Sequence, residues 1–116
     1  MRLDRLDEHR LPGGLRLAEA SGARARLLGL AWLRALPSGR ALRIPRCRSV
    51  HTIGMRFPLD LVWLDEGGAV IGLSPGVAPR RVVRCRRARA VIEARAGEGG
   101  AFAAAVAVAV QEVSSV

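Results

Sequence analysis

The spacing of the apolar positions changes along the chain, and the changes separate two kinds of predicted element. In SGARARLLGLAWLRALPSG, from Ser21 to Gly39, Leu27, Leu30 and Leu33 recur at helical spacing. Ser21 suits a helix N-cap, Ala, Leu and Arg favour helix, and Pro37-Ser38-Gly39 stops it. The expectation is a short helix with a bend near Gly29, or a helix whose second half gives way to a loop crossing the core.

From Ala41 the period becomes two. Ala41 to Ile44 is a strand candidate closed by Pro45, and Leu15 to Ala18 an earlier one of the same length. The long stretch Arg48 to Leu64 reads as extended. Asp65-Glu66-Gly67-Gly68 reads as a hairpin turn and Ala69 to Leu73 as the return strand. Ser74-Pro75-Gly76 is a second turn signal. Val77 to Cys85 and Ala88 to Ala94, rich in Val and Ile, are further strands. In the tail AFAAAVAVAVQEVSSV the alanines favour helix, although Val106, Val108 and Val110 alternate as in a strand. Short strands joined by turns, with one or two short helices, predict an α+β fold, mainly β. Its sheet is expected to be small, antiparallel and partly closed like a barrel, which protects the edges. Residues 1–13 form a polar N-terminal segment, and 14–116 a single compact domain.

Sorting His51 to Asp65 by parity sharpens the picture. The odd positions His51, Ile53, Met55, Phe57, Leu59, Leu61 and Trp63 make a nearly pure apolar face. The even positions are mixed and include Thr52, Arg56 and Asp60. Asp60 therefore points away from the main core, yet shares its face with Val62 and Leu64. A half-buried carboxylate there needs donors or a cation. Arg56 is about 13 Å away along an ideal strand, in reach only if Pro58 bends the chain. Arg43 or a backbone N–H of another strand are rival partners, and a purely structural role for Asp60 is the stronger reading.

Composition adds charge. The chain has 116 residues, half of them hydrophobic, and a net charge of +9 carried wholly by arginine. The absence of lysine fits a compositional bias, but the charge attracts anions whatever its origin. Arg80, Arg81, Arg84, Arg86, Arg87 and Arg89 fall within ten residues and form a candidate anion patch. Only four aromatic residues are present and two of them sit on the presumed core face. Base-stacking platforms are therefore lacking, and a solvated arginine face outweighs a nucleic-acid site. Two cysteines, Cys47 and Cys85, are too few for a disulfide framework. The charged N-terminus is unlike a signal peptide, and the apolar run Ala101 to Val110 is too short to span a membrane, so a cytoplasmic protein is expected.

The pattern C-x-S-V-H-T-x-x-M-R-F-P-L-D-x-V-W-L-D-x-x-G-x-V, from Cys47 to Val70, resembles a bacterial and archaeal family known as domain of unknown function 192. Arg26 with Gly29-Leu30 is similar to that family's entry segment, and A-x-x-V-I-E-A-R-A-G, from Ala88 to Gly97, to a later strand and turn. The likeness spans roughly residues 15–100. The chain departs from the family in its Ala/Val tail, 101–116, where relatives commonly end in a Gly-Asp turn and a last strand. Many relatives also carry an export signal, and none is expected from this chain's charged N-terminus. The resemblance implies a compact, mostly β domain and brings no established activity. Its natural carry-over is the polar part of the central motif: His51, Thr52, Met55, Arg56 and Asp60, with Asp65 at the hairpin turn.

These observations favour a small binding or structural module. In it His51, Thr52, Met55, Arg56 and Asp60 line a site for a small polar or anionic ligand, with Asp60 orienting Arg56. No cofactor is called for. One rival is a hydrolase-like or metal-dependent enzyme using His51 and Asp60, with Cys47 and Cys85 as further metal-ligand candidates and Cys47 as a candidate nucleophile. The spacing of these residues does not match common zinc pairs. The other rival is nucleic-acid or anion binding through Arg80 to Arg89.

Overall fold

The computed structural model describes residues 7–20, 38–52 and 57–114. Eight strands and one α-helix are seen there: β1 (Asp7–Arg10), β2 (Arg16–Glu19), β3 (Arg40–Pro45), β4 (Ser49–His51), β5 (Leu59–Leu64), β6 (Val70–Val77), β7 (Val82–Arg84), β8 (Ala90–Arg95) and α1 (Gly99–Ser114). Six strands form one sheet in the order β1-β2-β3-β8-β5-β6, and β4 pairs with β7 in a separate ribbon. The helix expected within Ser21 to Gly39 lies almost wholly outside the described residues. The mainly β, α+β expectation holds, but two details are corrected. The sheet is mixed, because β2 and β3 run parallel. It is also open rather than barrel-like, with β1 and β6 as its edges. Those edges are protected by other means: charge on Asp-Glu-His-Arg of β1, and a proline within β6.

β5 lies within the sheet, between β8 and β6, and all six of its residues are buried. Its odd residues Leu59, Leu61 and Trp63 join Leu42, Ile44, Val91 and Val50 in one apolar cluster, beneath the β4–β7 ribbon. Its even residues Val62 and Leu64 join Ile92, Ala94, Phe102 and Val106 in a second cluster, beneath α1. Covering both faces explains the unbroken apolar run, since each such side chain removed from water contributes roughly 1.5–3 kcal/mol.

The tail is helical as its alanines predict. Phe102, Ala105 and Val106 pack inward, while Ala101, Ala104 and Val108 stay exposed. The Asp65–Gly68 hairpin also forms: Asp65 N donates to Ala69 O, and Asp65 Oδ1 accepts from the amides of Gly67 and Ala69. Three expectations fail. Val77 to Cys85 is not one strand: β6 ends at Val77, and β7 spans only Val82–Arg84. Ser74-Pro75-Gly76 is no turn but a continuation of β6. There Leu59 pairs with Val77 and Leu61 with Ser74, so Pro75 and Gly76 together oppose Asp60 in a β-bulge. The single straight run from His51 to Asp65 is likewise divided. His51 ends β4 in the ribbon and Leu59 begins β5 in the main sheet, so parity does not carry across Pro58.

Candidate functional site

Asp60 is almost fully buried, on the helix side of β5. Its Oδ1 accepts from Gly76 N at 2.8 Å, and its Oδ2 from Gly97 N at 2.9 Å and Gly99 N at 2.8 Å. Gly97 sits at φ +93°, a conformation that glycine adopts without strain, and Gly99 is the first residue of α1. A Cβ on Gly99 would lie 2.6 Å from the Asp60 Cβ, so only glycine lets the helix start this close to the carboxylate. Asp60 thus satisfies an amide that the helix's own ladder leaves unpaired, and its charge complements the helix dipole. It ties the β6 bulge, the turn after β8 and the start of α1 to β5. Glu98 of the same turn reaches the other way, accepting from Ser38 Oγ and Gly39 N.

Thr52 is equally saturated. Its buried Oγ1 donates to Ala78 O at 2.7 Å and accepts from Arg81 N at 2.9 Å, while its backbone pairs with Arg80 and Arg81. It clamps the 78–81 turn to the end of β4. His51 does not join Asp60. The ribbon packs over the Leu59–Leu61–Trp63 face, whereas Asp60 points to the opposite face. Met55 and Arg56 lie outside the described residues. Among the described residues no three His, Cys, Asp or Glu side chains come together as a metal-binding group. Cys47 and Cys85 are free thiols, and the Cys47 Sγ–H donates to Ser49 O.

His51 instead belongs with the arginines. In the ribbon Ser49 pairs with Arg84, Val50 with Val83 and His51 with Val82. Val50 and Val83 turn inward to the core, so Ser49, His51, Val82 and Arg84 form the outward side. Arg80 and Arg81 precede β7, and Arg86, Arg87 and Arg89 follow it. Arg46 and Arg48 lead into β4 alongside. All eight arginines of these segments are exposed, and neither 46–52 nor 78–89 contains a carboxylate. The arginines of β2 and β3 differ. Arg16 and Arg40 meet Glu8, and Arg43 meets Glu19. Among the described residues, no ion pair engages any of the eight.

The sheet also buries a second carboxylate, one absent from the candidate set that the sequence suggests. Glu93 is fully buried on β8, between Leu42 of β3 and Leu61 of β5. Neither carboxylate oxygen has a hydrogen-bond partner among the described residues. Desolvation by burial raises its pKa from 4.5 to about 8. The signal lay in AVIEAR, where a glutamate interrupts a strand that is apolar on both parities.

The model of the domain of unknown function 192 family, described as "Uncharacterized ACR", matches residues 8–110. No curated protein matches the chain. Two crystal structures share its fold. One is a protein of unknown function from Novosphingobium aromaticivorans DSM 12444, at TM-score 0.63 and 14% identity, covering 86% of this chain and 89% of that one. The other is a putative transcription regulator from Sinorhizobium meliloti 1021, at TM-score 0.64 and 18% identity, covering 82% of each chain. No described helix is long and apolar enough to cross a membrane. With the central motif, its strand placement and the near full-length match in agreement, the chain belongs to the domain of unknown function 192 family.

Proposed function

We propose that this domain is a binding module for polyanions, with the outward side of the β4–β7 ribbon as its contact surface and the phosphate backbone of a nucleic acid as its ligand. The observation that carries this reading is the segregation of charge. Eight exposed arginines gather on two adjoining segments that contain no carboxylate; Arg46, Arg48 and Arg89 share a cavity with Asp65 and Glu66, the other five lie on β7 and its flanks, and arginines of β2 and β3 are neutralised by glutamates. The guanidinium fork matches phosphate oxygens in pairs, and His51 adds a further donor to the same side. The outward side of the ribbon is exposed, with Arg84 on it and arginines on the segments that flank both strands, which suits a repeating backbone. With few aromatic residues to stack on bases, the contacts read phosphate rather than sequence. Thr52 acts as a positioning residue that holds the Arg80–Arg81 turn. Asp60 serves the scaffold.

A protein of this net charge attracts DNA through bulk electrostatics alone, so the test must separate the ribbon from the rest of the surface. Fluorescence anisotropy with a short labelled duplex and a labelled single strand is measured across a salt series. For R84Q/R87Q the slope of log K against log salt is expected to become shallower by roughly 1.4–1.8, two contacts at 0.7–0.9 each. The double variant R10Q/R95Q, which removes the same charge elsewhere, should leave the slope nearly unchanged. No binding at low salt, or equal losses in both variants, overturns the proposal.

A further inference from the structure

Two cavities adjoin at the 65–68 hairpin, and the second is lined in part by arginines that flank the ribbon. One, of about 480 Å³, lies where the last turns of α1 meet β2, β3 and the end of β5. Its walls are mainly apolar, with Leu17, Leu64, Val106 and Val110 from the second core cluster and Ala109 beside them. The other, of about 500 Å³, is lined by Arg43, Arg46, Arg48 and Arg89, with Asp65 and Glu66. The two share Arg43, and the 65–68 hairpin borders both.

The charges in the second cavity do not cancel. Four guanidiniums face Asp65 and Glu66, with Glu19 beside Arg43, so one positive charge is left over, and Asp65 already accepts two backbone amides through Oδ1. Arg43 donates to Glu19 from Nη1, one of its five N–H groups. An apolar groove running into a guanidinium-rich basin fits a molecule with both characters.

We infer that these cavities form one site for a single-chain amphiphile with an anionic head, a phosphomonoester or a carboxylate. The alkyl chain lies between α1 and β2–β3, and the head sits among Arg43, Arg46 and Arg89. The site borrows Arg46, Arg48 and Arg89 from the surface proposed for polyanions, but does not depend on polyanion binding. Its occupant is defined by the groove, which a nucleic acid backbone has nothing to fill.

The probes are octyl phosphate, octanoate, octanol and inorganic phosphate, each titrated against methyl-labelled protein. Octyl phosphate should shift the methyls of Leu17, Leu64, Val106 and Val110 and bind about tenfold or more tighter than inorganic phosphate or octanol. Octanoate decides which head is preferred; its binding in the groove supports the site equally. Ala109→Trp, which fills the groove from the helix side, should weaken octyl phosphate by roughly tenfold while leaving nucleic-acid affinity unchanged. Arg46→Gln should weaken octyl phosphate and spare octanol. The methyl map needs no variant, so it stands even if Ala109→Trp misfolds. Three results overturn the inference: unmoved groove methyls, octyl phosphate binding no tighter than inorganic phosphate or octanol, or a folded A109W that binds octyl phosphate normally.

Discussion

Replacing Asp60 with alanine removes an acceptor from three backbone amides at once, those of Gly76, Gly97 and Gly99. Each is a charge-assisted bond, and such bonds contribute roughly 1.5–3 kcal/mol apiece. They share one carboxylate and are not additive, so the expected loss is about 4 kcal/mol rather than the full sum. Against a typical stability of about 5–15 kcal/mol for a whole domain, that is a large fraction. Asp60→Asn should cost less, roughly 2–3 kcal/mol. It keeps the size and one acceptor for Gly76, but turns an amide NH2 toward the amides of Gly97 and Gly99. Urea unfolding followed by circular dichroism gives both values, and hydrogen exchange at Gly99 reports whether the start of α1 has loosened. A D60A loss below about 1 kcal/mol, with Gly99 still protected, would refute the hub role of this carboxylate.

Gly99→Ala sets a Cβ within 2.6 Å of the Asp60 Cβ, although alanine normally favours helix. A loss of roughly 1–3 kcal/mol is therefore expected in the same unfolding assay, where propensity alone predicts a gain. Glu93 should make stability fall as pH rises. Its folded pKa is raised to about 8 from 4.5, so the folded state holds a proton that the unfolded state has released across that window. The contribution is fully present below about pH 4.5, declines by about 1.4 kcal/mol per pH unit, and levels off above about pH 8. Glu93→Gln should remove this decline. Parallel stability curves for the two proteins between pH 5 and 8 would contradict it.

Local chemistry was legible where a few neighbouring residues decide the outcome. Asp65 through Gly68 contain their own turn, Ala41 to Ile44 their own period, and the alanines of the tail their own helix. Long-range pairing was not legible. Nothing in Arg16–Glu19 announces a parallel partner in Arg40–Arg43. Pro75-Gly76 has the same composition whether it turns the chain or forms a bulge on an edge strand.

Asp60 was recognisable as a carboxylate in need of donors. Those donors are backbone amides, which leave no side-chain signature, and they come from positions far along the chain. The parity argument held within β5, where it placed Asp60 on the face opposite Leu59 and Trp63. It failed across Pro58, where the chain leaves the ribbon for the main sheet. That break is why His51 joins the arginines and not the acid.

The most direct test of the account is an amide chemical-shift map of the protein titrated with a short DNA duplex at low salt. It predicts movement confined to residues 46–52 and 78–89, with Gly97, Gly99 and the amides of β5 unmoved. Shifts centred on Gly97, Gly99 and Asp60, with the ribbon still, would contradict it.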